Sequence, residues 1–128
     1  MSALHALIID DNTRNLSVMS EMLSEEGITS TLLENPTRLF DVIGQLDRID
    51  LIFLDLEMPQ QSGYEVLEAI KAYLGEDFPV VACTVHVNEI NTARRLGFHS
   101  FLPKPLDVDR FPDQLQRILS NQPVWETF

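Results

Sequence analysis

Residues 51–59 read Leu51-Ile52-Phe53-Leu54-Asp55-Leu56-Glu57-Met58-Pro59. Four consecutive large apolar side chains leave no polar face, which predicts a strand buried on both sides, as in a parallel sheet. The acid that ends the run needs a partner, because burying an isolated charge is costly. Two other runs have the same form. Ala6–Ile9 is followed by Asp10 and Asp11, and Val80–Cys83 by Thr84. Thr29–Leu33 and Ser100–Leu102 are weaker and read as outer strands.

Helical signals fill the gaps between these runs. Asn12–Glu26 carries Leu16, Met19 and Leu23 on one face and stops at Gly27. Asn35-Pro36 supplies a cap and a first-turn proline ahead of Leu39, Phe40, Ile43 and Leu46. Ser62-Gly63-Tyr64-Glu65 is a capping box, followed by the stripe Val66, Leu67, Ile70, Tyr73 and Leu74 before Gly75. Asn88–Leu96 has a thinner stripe of Ile90, Ala93 and Leu96. A last helix runs to about Leu119, with Pro112 defining or disturbing its start. Five strand-then-helix units predict an α/β fold, a doubly wound parallel sheet with helices on both faces. Residues 1–120 form this domain. Residues 121–128, with Pro123, Trp125 and Phe128, lack periodicity, and packing on the body, pairing with another molecule and disorder all stay open for them.

Composition narrows the function. Nine Lys and Arg against 20 Asp and Glu give a net charge of −11, which opposes direct nucleic-acid binding. The single cysteine, Cys83, excludes an internal disulfide. It reads as buried and inert, since nothing basic flanks it. No apolar run approaches the ~20 residues of a membrane helix, and no signal peptide is evident, so the expectation is a cytoplasmic protein without membrane contact. Of the two lysines, Lys71 lies on a helical pattern and reads as solvated. Lys104 lies between Pro103 and Pro105, a rigid setting that an idle surface lysine does not require. His5 and His99 read as surface or packing residues.

Ligands of open parallel sheets bind beyond the carboxyl ends of the strands. That edge gathers Asp10, Asp11, Asp55, Thr84 and Lys104. Three carboxylates raise one another's pKa unless a cation is present, and hard oxygen ligands at an open site suit Mg²⁺. A carboxylate nucleophile beside a metal and a lysine is equipped for phosphoryl transfer, with Asp55 attacking and Lys104 neutralising phosphoryl oxygens.

These residues resemble the receiver domain of two-component response regulators. The resemblance rests on Ile8-Ile9-Asp10-Asp11-Asn12, on Phe53–Pro59 with Gly63, on Thr84, and on Phe101-Leu102-Pro103-Lys104-Pro105, and it spans about residues 4–119. It implies a flavodoxin-like (βα)5 fold with strand order 2-1-3-4-5. Asp55 would accept phosphate from a histidine kinase or a histidine phosphotransfer protein. Asp11, Asp55 and the backbone carbonyl of Glu57 would hold Mg²⁺, with Asp10 acting through water. Thr84 and Phe101 match a switch pair whose hydroxyl turns toward the phosphoryl group while the ring moves inward. Lys104 would contact the phosphoryl group, across a cis bond to Pro105. The output surface would be the fourth helix, fifth strand and fifth helix, and receivers often pair as homodimers through the fourth and fifth helices, the oligomeric state of this chain staying open. Val85 stands where a small residue is usual, and His86 follows it. With Glu57 they frame the approach of water to the adduct, and their bulk is expected to shield it, the alternative being that Glu57 or His86 orients a water as a general base.

The leading expectation is a stand-alone, phosphorylation-controlled binding module. It would be no enzyme beyond its own phosphorylation and dephosphorylation. A Mg²⁺-dependent aspartyl-phosphate phosphatase is the runner-up, but that class wants a second Asp two residues after the first, where this chain has Glu57. A pseudo-receiver that binds partners without phosphate is the third reading, and the complete acid–Thr–Lys set opposes it.

Overall fold

A computed structural model describes residues 4–127. The apolar runs form β1 (His5–Ile9), β2 (Thr29–Leu33), β3 (Leu51–Asp55), β4 (Val80–Thr84) and β5 (Ser100–Pro103). All pair in parallel, in the order β2-β1-β3-β4-β5. Every residue of β3 and of β4 is buried, as strands sandwiched between helices require.

The helices are α1 (Thr13–Glu25), α2 (Leu39–Gln45), α3 (Gly63–Leu74), α4 (Ile90–Leu96) and α5 (Phe111–Leu119). Alternate residues of each strand point to opposite faces, which builds two cores. Leu7, Ile9, Ile52, Leu54 and Ala82 face a core closed by α2, α3 and α4. Ala6, Ile8, Leu51, Phe53 and Cys83 face one closed by α1 and α5. Caps act where the sequence places them. The Asn12 side chain accepts from the Arg14 and Asn15 amides, and Ser62 Oγ from the Glu65 amide. Pro112 lies in the first turn of α5, where its missing N–H is harmless.

The structure departs from the sequence reading at particular side chains. Tyr73 and Phe40, expected on apolar stripes, are 54% and 50% exposed. They pack on each other across α2 and α3, ring centroids 5.3 Å apart, because each lies at the rim of its stripe. Leu96 is likewise exposed. Lys71 is only partly solvated. Its ammonium donates to the Glu76 carbonyl at 2.9 Å, and its stem covers Gly97. His5 bridges β1 to β2 through Thr29 and Thr31, and His99 contacts Ser100 and Asn121.

Beyond α5 the chain turns back onto the body. Val124 is buried, and Trp125 forms a parallel bridge with Phe101 on the outer side of β5. Phe128 lies outside the described residues. No helix among the described residues is long and apolar enough to cross a membrane.

Candidate functional site

Because the strands are parallel and in register, their C-terminal ends deliver five polar side chains to one edge of the sheet. Asp10 and Asp11 follow β1, Asp55 and Thr84 end β3 and β4, and Lys104 follows β5. Asp10 and Asp55 are only 4% and 7% exposed, whereas Asp11 stands in solvent. One carboxylate oxygen of each of the three acids lies within 4.8 Å of the others.

Lys104 is the cation among them. Its Nζ donates to Asp10 Oδ2 at 2.5 Å and pairs with Asp55 Oδ1 at 3.4 Å. Its own amide donates to the Thr84 carbonyl at 2.9 Å, and the bond to Pro105 is cis, as expected. Burial alone would favour the neutral amine. The hydrogen bond to Asp10 and the charges of Asp55 and Asp10 outweigh that, and the Lys104 pKa is raised. Asp55 is less well compensated. Burial pushes its pKa up to about 6, with the Asp10 charge adding and Lys104 and the Glu57 amide opposing. The site therefore holds more negative charge than one ammonium neutralises.

Asp10 is already committed on both oxygens, since Oδ1 accepts from the Asn12 amide at 2.9 Å. Thr84 is buried, and its Oγ1 accepts from the His86 amide at 3.0 Å. His86 Nε2 lies 3.8 Å from Glu57 Oε1 over the mouth, both side chains half exposed, and Val85 is exposed beside them. Cys83 sits below, its thiol pushed up to about 12 by complete burial, which fits an inert packing role. Phe101 is fully buried, in the core that α2, α3 and α4 close.

Gly63 shapes the loop that carries Asp55 and Glu57. Its amide donates to the Leu56 carbonyl, and a Cβ there would meet the Asp55 carbonyl oxygen at 2.6 Å and Leu56 Cα at 2.7 Å. Both obstacles are backbone and cannot swing aside. Gly63→Ala should therefore destabilise by about 1–3 kcal/mol, seen as a lowered midpoint of thermal unfolding.

One part of the site escaped sequence reading. A groove of about 200 Å³ opens beside the acids, walled by Arg14, Val18 and Met22 of α1 and by Pro105, Leu106 and Val108 beyond β5. Val108 and Val18 are exposed apolar residues that no periodicity marks.

A profile of the family described as response regulator receiver domain matches residues 6–116. Sporulation initiation phosphotransferase F of Bacillus subtilis is 27% identical over 115 residues, covering 88% of this chain and 91% of the relative. The sensor histidine kinase AtsR of Burkholderia thailandensis is 31% identical over 91% of this chain, which spans only 20% of that protein's length. Among solved structures, a two-component response regulator from Clostridium difficile superposes with a TM-score of 0.80 at 26% identity, covering 91% of this chain and 96% of that one. Chemotaxis protein CheY4 of Vibrio cholerae gives 0.81 at 20% identity, covering 91% and 99%, and shares the fold. With the 2-1-3-4-5 sheet and the acids at its edge, these matches establish that the chain belongs to the response regulator receiver domain family.

Proposed function

We propose that the chain takes a phosphoryl group from the phosphohistidine of a kinase or phosphotransfer protein onto Asp55, in the cytoplasm. The observation that carries this reading is the excess negative charge around a nearly buried carboxylate that faces a lysine. An ionised Asp55 oxygen attacks phosphorus, the donor's P–N bond breaks with its electron pair going to the imidazole, and an acyl phosphate forms. Lys104 follows the charge onto a phosphoryl oxygen, and the Thr84 hydroxyl leaves the His86 amide for another. Asp11, Asp55 and the Glu57 carbonyl would hold Mg²⁺, which suits hard oxygen donors and supplies charge neutralisation at the phosphoryl oxygens. Asp10, engaged on both oxygens, would act through water. Glu57, His86 and Val85 crowd the mouth and would shield the adduct from water.

The phospho-accepting unit is residues 1–120, and its output is a switched protein-binding surface on α4, β5 and α5, open to a downstream protein or a second copy. The test is incubation with acetyl phosphate and Mg²⁺, read by intact mass. One phosphoryl group per chain is the expected result. Steady hydrolysis of phosphate esters would indicate a phosphatase instead, and no adduct a pseudo-receiver.

The donor is proposed to dock on the groove beside the acids, at the start of α1. Arg14, exposed on its rim, is placed to pair with an acid on the donor. Arg14→Glu should slow transfer from the protein donor about tenfold, since rim charges act mainly on encounter, while uptake from acetyl phosphate stays unchanged. Equal slowing of both would defeat the docking site.

A further inference from the structure

β5 is the last strand of the sheet, so one of its sides is an edge that an unwanted strand could pair with. The segment after α5 covers it. The Phe101 amide donates to the Val124 carbonyl at 2.7 Å, and the Glu126 amide donates to the Phe101 carbonyl at 3.1 Å. The Val124 amide donates to the buried Ser100 Oγ at 2.9 Å. From this short strand, side chains reach the elements on either side. Trp125 lies under the Arg94 guanidinium of α4, 5.2 Å from its ring centroid. Glu126 is bound by Arg117 of α5 at 3.0 Å and by Arg110 just before it. Residues 124–126 thus touch α4, β5 and α5 at once.

The hold is local. It amounts to one isolated bridge, the buried Val124 side chain, the Val124–Ser100 hydrogen bond, Trp125 beneath Arg94 and an ion cluster, all carried by residues 124–126, a short contact set that opens without unfolding the body. It is also attached to the site. Phe101 stands on β5 three residues before Lys104, which follows the strand and is tied through its amide to Thr84 and through Nζ to Asp10 and Asp55. A group arriving on Asp55 redirects Lys104 and Thr84 together, and so pulls on β4 and β5 at their shared end.

We propose that residues 123–127 are an intramolecular strap that covers the α4–β5–α5 surface and is released, through β5, when Asp55 carries a phosphoryl group. The strap rests on the phospho-accepting reading and adds its regulation. Phe101 is fully buried, and its backbone is what residues 124–126 pair with, so a shift of β5 at Phe101 acts directly on the strap. While it is down, the edge of β5 and the faces beside it are closed to a protein partner.

Trp125 is the one tryptophan in the sequence, and it reports on the strap directly. With Mg²⁺ and beryllofluoride as the phosphoryl mimic, its emission should shift to the red. The amides of Phe101, Val124 and Glu126 should exchange with solvent at least tenfold faster. Intact mass after acetyl phosphate treatment, run alongside, tells whether Asp55 is modified at all. An adduct without change in Trp125 or these amides, or with slower exchange, overturns the strap and leaves the phospho-accepting reading intact. Absence of any adduct overturns both.

Reciprocity supplies a second arm, because two coupled events favour each other equally. Glu126→Lys places like charge beside Arg110 and Arg117 and should raise apparent beryllofluoride affinity several-fold, with Glu126→Gln falling between it and the parent chain. Unchanged affinity in both folded variants would overturn the coupling.

Discussion

Asp55→Asn should abolish the phosphoryl adduct and, in metal-free buffer near neutral pH, unfold at a higher temperature than the parent chain. Loss of the adduct follows from the chemistry. The amide that replaces the carboxylate is a poor nucleophile, and Asp10, the other nearly buried acid, has both oxygens engaged. The gain in stability follows from the charge balance. In the folded chain the Asp55 pKa stands at about 6, against 3.8 for the ordinary group. Below the lower value both states are protonated and the residue costs nothing. As pH rises through the interval the unfolded chain ionises first, so folding is progressively disfavoured, and above the upper value the penalty is complete, about 3 kcal/mol at most. The amide avoids that penalty, which is already net of the attraction to Lys104, so a gain of up to about 2–3 kcal/mol is expected at neutral pH, several degrees in midpoint. It should shrink as pH falls through about 6 and vanish near pH 4. Mg²⁺ should narrow it too, by stabilising the parent chain alone. Thermal unfolding against pH, with and without Mg²⁺, checks each part. A variant less stable than the parent at neutral pH would mean that Lys104 compensates Asp55 more fully than its burial indicates.

The parts of this molecule that were legible in its sequence are those whose causes are local or periodic. Leu51–Leu54 has no polar face and predicts a strand buried on both sides, and β3 is one. The caps at Asn12 and Ser62 act on amides two or three residues away. The edge site was legible for a topological reason. Parallel strands share a direction, so residues that follow them in sequence converge in space, and Asp10, Asp55, Thr84 and Lys104 do so. What escaped depends on contacts between distant segments. Tyr73 fits the apolar stripe of its own helix, but it lies at the rim of that stripe, exposed and packed against Phe40 of α2. Lys71 has ordinary helical surroundings in sequence, and Gly97, which makes room for its stem, is 26 positions away. The strap carries no pattern at all. Ser100 and Phe101 of β5, Arg94 of α4, Arg117 of α5 and Arg110 just before α5 hold it, and no periodic or local pattern links them.

Lys104→Met should be the most damaging single change at the site. Methionine keeps the unbranched stem and removes only the charge. Asp10 and Asp55, both nearly buried, then face each other without a cation. Removing one partner of a buried ion pair costs about 3–5 kcal/mol, because the remaining charge has lost its water and gained nothing. The lysine's own folded pKa is raised above 10.5, so in the parent chain its contribution is complete at every pH below that and the whole of it is lost in the variant at neutral pH. The loss should be relieved by acid. Without the opposing ammonium the Asp55 pKa climbs further above about 6, and protonation as pH falls through that higher value removes one of the two stranded charges. It should also be relieved by Mg²⁺, which supplies the missing charge without restoring the contact to a phosphoryl oxygen. Stability and chemistry can thus be separated. At saturating Mg²⁺ the variant should be folded and yet take up phosphate from acetyl phosphate about a hundredfold more slowly, the scale of losing one preorganised charge contact to a transferring group. Asp55→Asn should stabilise the Lys104→Met background by more than it stabilises the parent chain, because there it removes a carboxylate that the first substitution stranded. If the loss and the gain simply add, Lys104 and Asp55 act independently, and the charge balance at the sheet edge has another source.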